Sequence, residues 1–171
     1  MINIPEDYVV LDLETTGLSP KENEIIELSA LRIRGRKVVE EYSKLVKPEA
    51  LISEFITNLT GIDNNLVKDE KGIASILPDF LSFVGKDVVV GHNVLFDLGF
   101  ISENANKHLN KKTFYKCLDT MKISRELFPS EKRHRLCDVS TRLNVKQESA
   151  HRGLVDCYTT YKCLEVMRTM I

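Results

Sequence analysis

The chain has 171 residues, with 24 lysines and arginines against 25 aspartates and glutamates, a formal net charge of −1 and 43% hydrophobic content. That composition excludes disorder, collagen-like repeats and low complexity, and no apolar run approaches the ~20 residues that a spanning helix needs. One compact domain over residues 1–171 is expected, with a core large enough to need neither a disulfide nor a structural metal.

The opening residues, Met1-Ile-Asn-Ile-Pro-Glu-Asp7, carry no basic and apolar regions of a secretory signal, so a cytoplasmic location is expected and no membrane association. Cys117, Cys137, Cys157 and Cys163 are widely spaced and form no C-x-x-C pair. Zinc is therefore not indicated, and four reduced, mostly buried thiols are expected.

The first apolar run, residues 8–14, is short and β-branched and ends in Thr15-Thr16-Gly17, a strand followed by a turn. Residues 25–34 and 38–46 read as two more strands joined at Gly35. A polar stretch follows, with a short helix near 52–58. The apolar stripe Ile73, Ile76, Leu77, Phe80, Leu81 and Val84 predicts a helix over 72–84. Val88-Val-Val90 reads as a short buried parallel strand, and Asn93 as the N-cap of a helix running to about residue 105. Residues 114–117 read as a further strand. Helices are then expected over 119–127, stopped by Pro129, over 136–143 and over 150–170. Three early strands followed by alternating helices and strands predict an α/β domain with a mixed sheet.

The near-zero net charge conceals an asymmetry. Residues 1–105 hold 10 basic and 18 acidic side chains, whereas residues 106–135 hold 9 basic and 3 acidic ones. Such a local excess can steer a polyanion, although a solvated face would look the same.

Three acidic patterns stand out. Asp12 and Glu14 lie two apart on an apolar strand, so both carboxylates share one face; burial of such a pair demands a cation or raised pKa values. Asp97 ends Gly91-His-Asn-Val-Leu-Phe-Asp97, in the first turn of the helix after the fourth strand, where the helix dipole alone would account for it. Phe96 and Phe100 face the core on helical spacing. His151 and Asp156 open and close His151-Arg-Gly-Leu-Val-Asp156. Five helical residues would turn them roughly 140° apart, so His151 is expected in the loop or first turn entering the last helix and Asp156 on its body. Taken alone, Asp156 lies off the apolar stripe and reads as solvated.

Their order along the chain resembles the DEDDh family of 3′–5′ exonucleases, particularly its epsilon-type and PolC-type proofreading branches. The matching segments are Leu11-Asp-Leu-Glu-Thr-Thr-Gly-Leu18, Gly91-His-Asn-Val-Leu-Phe-Asp97 and His151-Arg-Gly-Leu-Val-Asp156, with lesser matches at Leu59-Thr-Gly-Ile62 and Cys117-Leu-Asp-Thr-Met-Lys-Ile-Ser-Arg125. The resemblance spans about residues 8–167. It departs from the family pattern at Gly153 and Cys157, where alanines are common, and at Val94, where a smaller residue is common. Gly153 by itself should weaken its helix by ~1 kcal/mol relative to alanine.

The resemblance implies a ribonuclease H-like mixed five-stranded sheet with helices on both faces. It implies that Asp12, Glu14, Asp97 and Asp156 hold two Mg²⁺ or Mn²⁺ ions and that His151 is the general base. It also implies hydrolysis of DNA from the 3′ end to nucleoside 5′-monophosphates, in proofreading or repair, with a replicative polymerase as partner. Thr15, Thr16 and Gly17 would offer backbone amides to the terminal nucleotide, Leu18 would wedge between its last two bases, and His92, Asn93 and Phe96 would line the same pocket. Two alternatives share the sequence signals: an RNA-directed 3′–5′ exonuclease, and a nucleic-acid-binding module without turnover. The presence of all five acidic and histidine positions argues against the latter.

Overall fold

The computed structural model describes residues 2–147 and 152–171. Three strands come first: β1 (Tyr8–Thr15), β2 (Ile25–Arg34) and β3 (Lys37–Leu45). The helices α1 (Glu54–Thr60), α2 (Asn64–Val67) and α3 (Ile73–Val84) lead to β4 (Val89–Gly91). Then come α4 (Val94–Leu109), β5 (Cys117–Asp119), α5 (Thr120–Leu127), α6 (Leu136–Arg142) and α7 (Gly153–Arg168). The strands form one sheet in the order β3-β2-β1-β4-β5. β1 pairs antiparallel with β2 and parallel with β4, and β4 pairs parallel with β5. The mixed five-stranded sheet is as expected.

Alternation along β1 sends its side chains to opposite layers. Val9, Leu11 and Leu13 join Leu77, Phe80, Phe100 and Ile101, the faces of α3 and α4. Tyr8 and Val10 join Ile123, Val139, Cys157, Cys163, Leu164 and Met167, from α5, α6 and α7. The even-numbered residues beyond Val10 are Asp12 and Glu14, so both carboxylates continue the face that α7 covers.

The β2–β3 turn closes with Arg34 opposite Lys37. Gly35 and Arg36 have φ of 52° and 64°, the pair of positive values that a two-residue hairpin loop matched to strand twist requires.

Several local expectations are corrected. The fifth strand is Cys117–Asp119 rather than 114–117, because parallel register pairs Val89 with Cys117 and Gly91 with Asp119. Phe114 is left 89% exposed. Asn93 does not cap α4 with its side chain; it adopts left-handed backbone, φ 65°, at the sharp turn out of β4. α4 runs on to Leu109 and ends at left-handed Asn110. α2, capped by Asp63, had no apolar stripe to announce it. Of the cysteines only Cys157 and Cys163 are buried, while Cys117 and Cys137 are exposed. No helix among the described residues is long and apolar enough to cross a membrane.

The end of β4 shows how tightly the layers meet. A Cβ at Gly91 would lie 2.8 Å from Val94 Cγ2 and 3.3 Å from the Leu11 carbonyl oxygen, so Val94, the larger residue at this position, relies on the glycine. Gly91→Ala is expected to destabilise the protein by about 1–3 kcal/mol, the usual cost of overpacking. In urea denaturation this should appear as a lower midpoint at unchanged slope; an unchanged midpoint would show that the turn into α4 has slack.

Candidate active site

Asp12 and Glu14 stand at the C-terminal end of β1, beneath the first turn of α7, which carries Asp156. One carboxylate oxygen from each of the three lies within 4.8 Å of the others. Asp12 is half-buried, and Glu14 and Asp156 are buried. The solvated face read for Asp156 taken alone is therefore corrected: α7 lays its N-terminal turn across β1 and β2, where the sheet face changes from apolar to acidic. Gln147 Nε2 donates to Asp156 Oδ1 at 2.7 Å.

Asp97 reaches the same end of the sheet from α4. The β1–β4 ladder is confined to Val9–Val89 and Val10–Val90, and β4 ends at Gly91. The Leu13 amide, on the β4 side of β1, instead donates to Asp97 Oδ1 at 3.1 Å. Asp97 thus takes the place of a missing strand. Its charge is the foremost of those acting on Asp12.

The electrostatic consequence is large. Burial pushes Glu14 up to about 8, reinforced by Asp156, Glu27 and Asp97 and opposed by Arg152. Burial pushes Asp97 up to about 8 as well, against the Leu13 amide, which favours its anion. Burial, then Asp97, Glu14 and Asp156, hold Asp12 well above the ordinary carboxylate range. Oxygen donors alone in a tight, mutually repelling cluster suit a hard divalent cation, and the residues present fit such a group.

His151, the fifth member of the expected set, lies outside the described residues. The other expected contacts are differently placed. Leu18 is 84% exposed. The Thr16 amide, expected to face a nucleotide, donates to the Glu24 carbonyl at 2.8 Å, and its Oγ1 accepts from the Glu24 amide at 2.9 Å. Thr15 Oγ1 donates to the Gly17 carbonyl at 2.7 Å, and Gly17 packs against the Asn23 side chain. These residues shape a turn whose own hydrogen bonds hold it.

His92 has both ring nitrogens engaged, Nε2 with the His134 carbonyl at 2.7 Å and Nδ1 with Thr120 Oγ1 at 2.9 Å. A carbonyl can only accept, so Nε2 carries the proton, while Nδ1 faces a Thr120 hydroxyl that also lies 3.2 Å from the Gly91 carbonyl. Burial lowers the pKa of His92, consistent with a neutral ring that anchors the loop before α6. No ring nitrogen is left for a substrate. Phe96 is half-buried and tilted against Phe100, centroids 5.1 Å apart. Asn93 has an exposed side chain, while its amide donates to Asp119 Oδ1 at 2.9 Å.

Three contributors escaped sequence reasoning. Asp119 accepts from both Asn93 and Met121 amides, tying α4 to α5. Gln147 has no pattern to mark it. Glu27 had one: a lone charge amid Ile25, Ile26, Leu28 and Ala30, directly opposite Glu14 in the β1–β2 register.

Comparison with known proteins agrees with this arrangement. Residues 9–164 match the family model described as Exonuclease. The chain is 37% identical over 153 residues to the DNA polymerase III subunit epsilon of Aquifex aeolicus, covering 90% of this chain and 76% of that protein. It is 41% identical over 154 residues to the PolC-type DNA polymerase III of Caldanaerobacter subterraneus, covering 90% of this chain but 11% of that protein. Among solved structures, Exonuclease X in complex with 5′ overhanging duplex DNA superposes with a TM-score of 0.75 at 26% identity, covering 95% of this chain and 92% of that one. Exonuclease I of E. coli in complex with a dA16 oligonucleotide shares the fold, with a TM-score of 0.83 at 18% identity over 96% of this chain and 41% of that one.

The raised carboxyls fix the sign of a pH effect. A folded pKa near 8 against ordinary values of 4.5 for glutamate and 3.8 for aspartate means the folded chain holds these protons more tightly than the unfolded chain. Their contribution to stability is greatest below about pH 4 and is lost as pH rises through about 8. The metal-free protein should therefore melt at progressively lower temperature from about pH 5 to about pH 8. Saturating Mn²⁺ should oppose that fall, and calorimetry in buffers of different ionisation enthalpy should show protons released on binding at neutral pH. A melting temperature flat across this range without metal would contradict the raised values.

Proposed function

The chain belongs to the exonuclease family, and from that premise we propose that it removes nucleotides one at a time from the 3′ end of DNA, releasing nucleoside 5′-monophosphates. The observation that carries this reading is the convergence of Asp12, Glu14 and Asp156 within 4.8 Å, with Asp97 bonded to the same strand end. The family's enzymes are hydrolases of nucleic acid, and this chain shares that chemistry.

In the proposed site Asp12, Glu14, Asp97 and Asp156 hold two Mg²⁺ or Mn²⁺ ions. When bound, such ions neutralise charge on the reacting phosphate and lower the pKa of water. His151 takes the proton of the attacking water as general base, a task suited to an imidazole near neutral pH. The acidic cluster excludes a bare phosphodiester unless cations offset it, so the chain's own residues make turnover strictly metal-dependent.

DNA is favoured as the polymer because the similar proteins include a DNA polymerase III subunit epsilon and an exonuclease in complex with duplex DNA. Exposed Leu18 offers an apolar surface on which any base can stack. Thr15, Thr16 and Gly17 support the Leu18 turn, and Asn93 and Phe96, at the entry to α4, are the further residues proposed to meet the terminal nucleotide. The basic 106–135 stretch would follow the backbone, making affinity fall with salt. By likeness to the epsilon and PolC-type proteins the unit would work in the bacterial cytoplasm as a single exonuclease domain beside a replicative polymerase.

The test is digestion of 5′-labelled single-stranded DNA, mismatched duplex and RNA with Mg²⁺ and with Mn²⁺. Single-nucleotide shortening of DNA that stops when the 3′ end is blocked is expected. Faster loss of RNA would reassign the substrate, and cutting of a circular strand would reassign the enzyme as an endonuclease. Asp12→Ala should abolish digestion while the metal-free protein melts no lower than the parent, because a repelling carboxylate is removed. His151→Ala should slow the reaction by about 10²–10⁴-fold, the scale of a lost general base, and leave Mn²⁺ binding in place.

A further inference from the structure

We infer that Glu27 is a positioning residue: its carboxylate, with Ser29 beside it, seats the N-terminus of α7 on β2 and so registers Asp156 against Asp12 and Glu14. Glu27 is 2% exposed in the middle of a buried strand. One of its oxygens, Oε2, accepts the Gly153 amide at 3.0 Å. The other, Oε1, lies 3.6 Å from Arg152 Nη2.

Gly153 is the first residue of α7, and its amide is one of those with no partner inside the helix. The N-cap residue, Arg152, contributes no side-chain cap. A carboxylate on a different element fills that role from across the chain, and the positive end of the helix dipole favours its charge.

Ser29 sets the distance. A Cβ on Gly153 would fall 2.2 Å from Ser29 Oγ and 2.6 Å from Ser29 Cβ, so the helix backbone rests directly on the strand. The glycine expected to weaken this helix is the residue that lets it sit there. From Gly153 to Asp156 is one turn, and the Asp156 amide donates to the Arg152 carbonyl at 3.0 Å. Any shift of the seat therefore moves Asp156. Glu27 itself turns one oxygen to the Gly153 amide and the other to Arg152, contacts that set it apart from the proposed ligands.

The inference rests on the metal-dependent reading of the site, and its test separates the two. Mn²⁺ affinity of the metal-free protein is measured by electron paramagnetic resonance, alongside kcat and KM on single-stranded DNA. Glu27→Ala is expected to weaken Mn²⁺ binding and lower kcat, each by about 10–100-fold, the range for residues that orient metal ligands, with KM for DNA little changed. Glu27→Gln keeps an oxygen acceptor for the Gly153 amide and should recover most of both.

Should Glu27→Ala not fold, the seat is tested from its other side. Gly153→Ala should weaken Mn²⁺ binding, and Gly153→Ala combined with Ser29→Gly should restore it. Parental Mn²⁺ affinity and kcat in folded Glu27→Ala would overturn the inference. So would equal damage in Glu27→Gln and Glu27→Ala, or failure of the double variant to recover. If the parent digests no nucleic acid yet loses Mn²⁺ affinity in Glu27→Ala, the positioning role stands and the exonuclease reading falls.

Discussion

Repulsion among buried carboxylates is the constraint to which the rest of this molecule answers. Asp12, Glu14, Asp97 and Asp156 come from three elements far apart in sequence, and Glu27 adds a fifth negative charge one strand away. Left to itself the cluster would spread, because each carboxylate gains solvent and loses a like neighbour by moving out. Holding it together is the task of the surrounding sheet and helices, whose stability has to exceed that repulsion in the absence of cations.

The helix that brings in Asp156 is accordingly fastened at both ends. At its C-terminal end Arg168 donates to the Ile4 and Pro5 carbonyls at 2.7 and 2.8 Å. Tyr8 donates to Glu165 at 3.1 Å, and Arg36 pairs with Glu165 at 2.8 Å. Tyr161 donates to the Arg36 carbonyl at 2.8 Å. At the N-terminal end the fastening is Glu27. The β2–β3 hairpin thus holds both ends: its turn grips the last turns of α7 through Arg36, and the body of β2 receives the first. Between them the apolar row Cys157, Cys163, Leu164 and Met167 is fully buried. Exposed ion pairs contribute little individually; here they fix orientation over a core that supplies the energy.

What could be read from the sequence follows the range of each interaction. β1 and β2 were legible because alternation and β-branching are local. The pairing of Asp12 with Glu14 on one face was legible for the same reason. β5 was misplaced by a few residues because a three-residue strand is defined by its neighbour's register, which no local pattern encodes. Asp97 looked like an ordinary first-turn carboxylate because its distinguishing partner, the Leu13 amide, is 84 residues away. Asp156 looked solvated for the same reason. Only the order of motifs along the chain, and the family it resembles, brought these residues together before the fold did.

The glycines show where local propensity gives the wrong sign. In a helix interior Gly153 would cost about 1 kcal/mol relative to alanine, and at the first position of α7, where it stands, less. A methyl group placed 2.2 Å from Ser29 Oγ would force the helix or the strand to move, and overpacking of that kind costs about 1–3 kcal/mol. The second effect is the larger, and it acts on the element that carries Asp156, so the weaker helix former makes the better-placed ligand. Gly91 repeats the pattern at the opposite side of the cluster. There the missing Cβ lets Val94 fill the corner beneath the turn that delivers Asp97. In both places a residue that weakens its own segment lets two segments meet closely enough to bring carboxylates together.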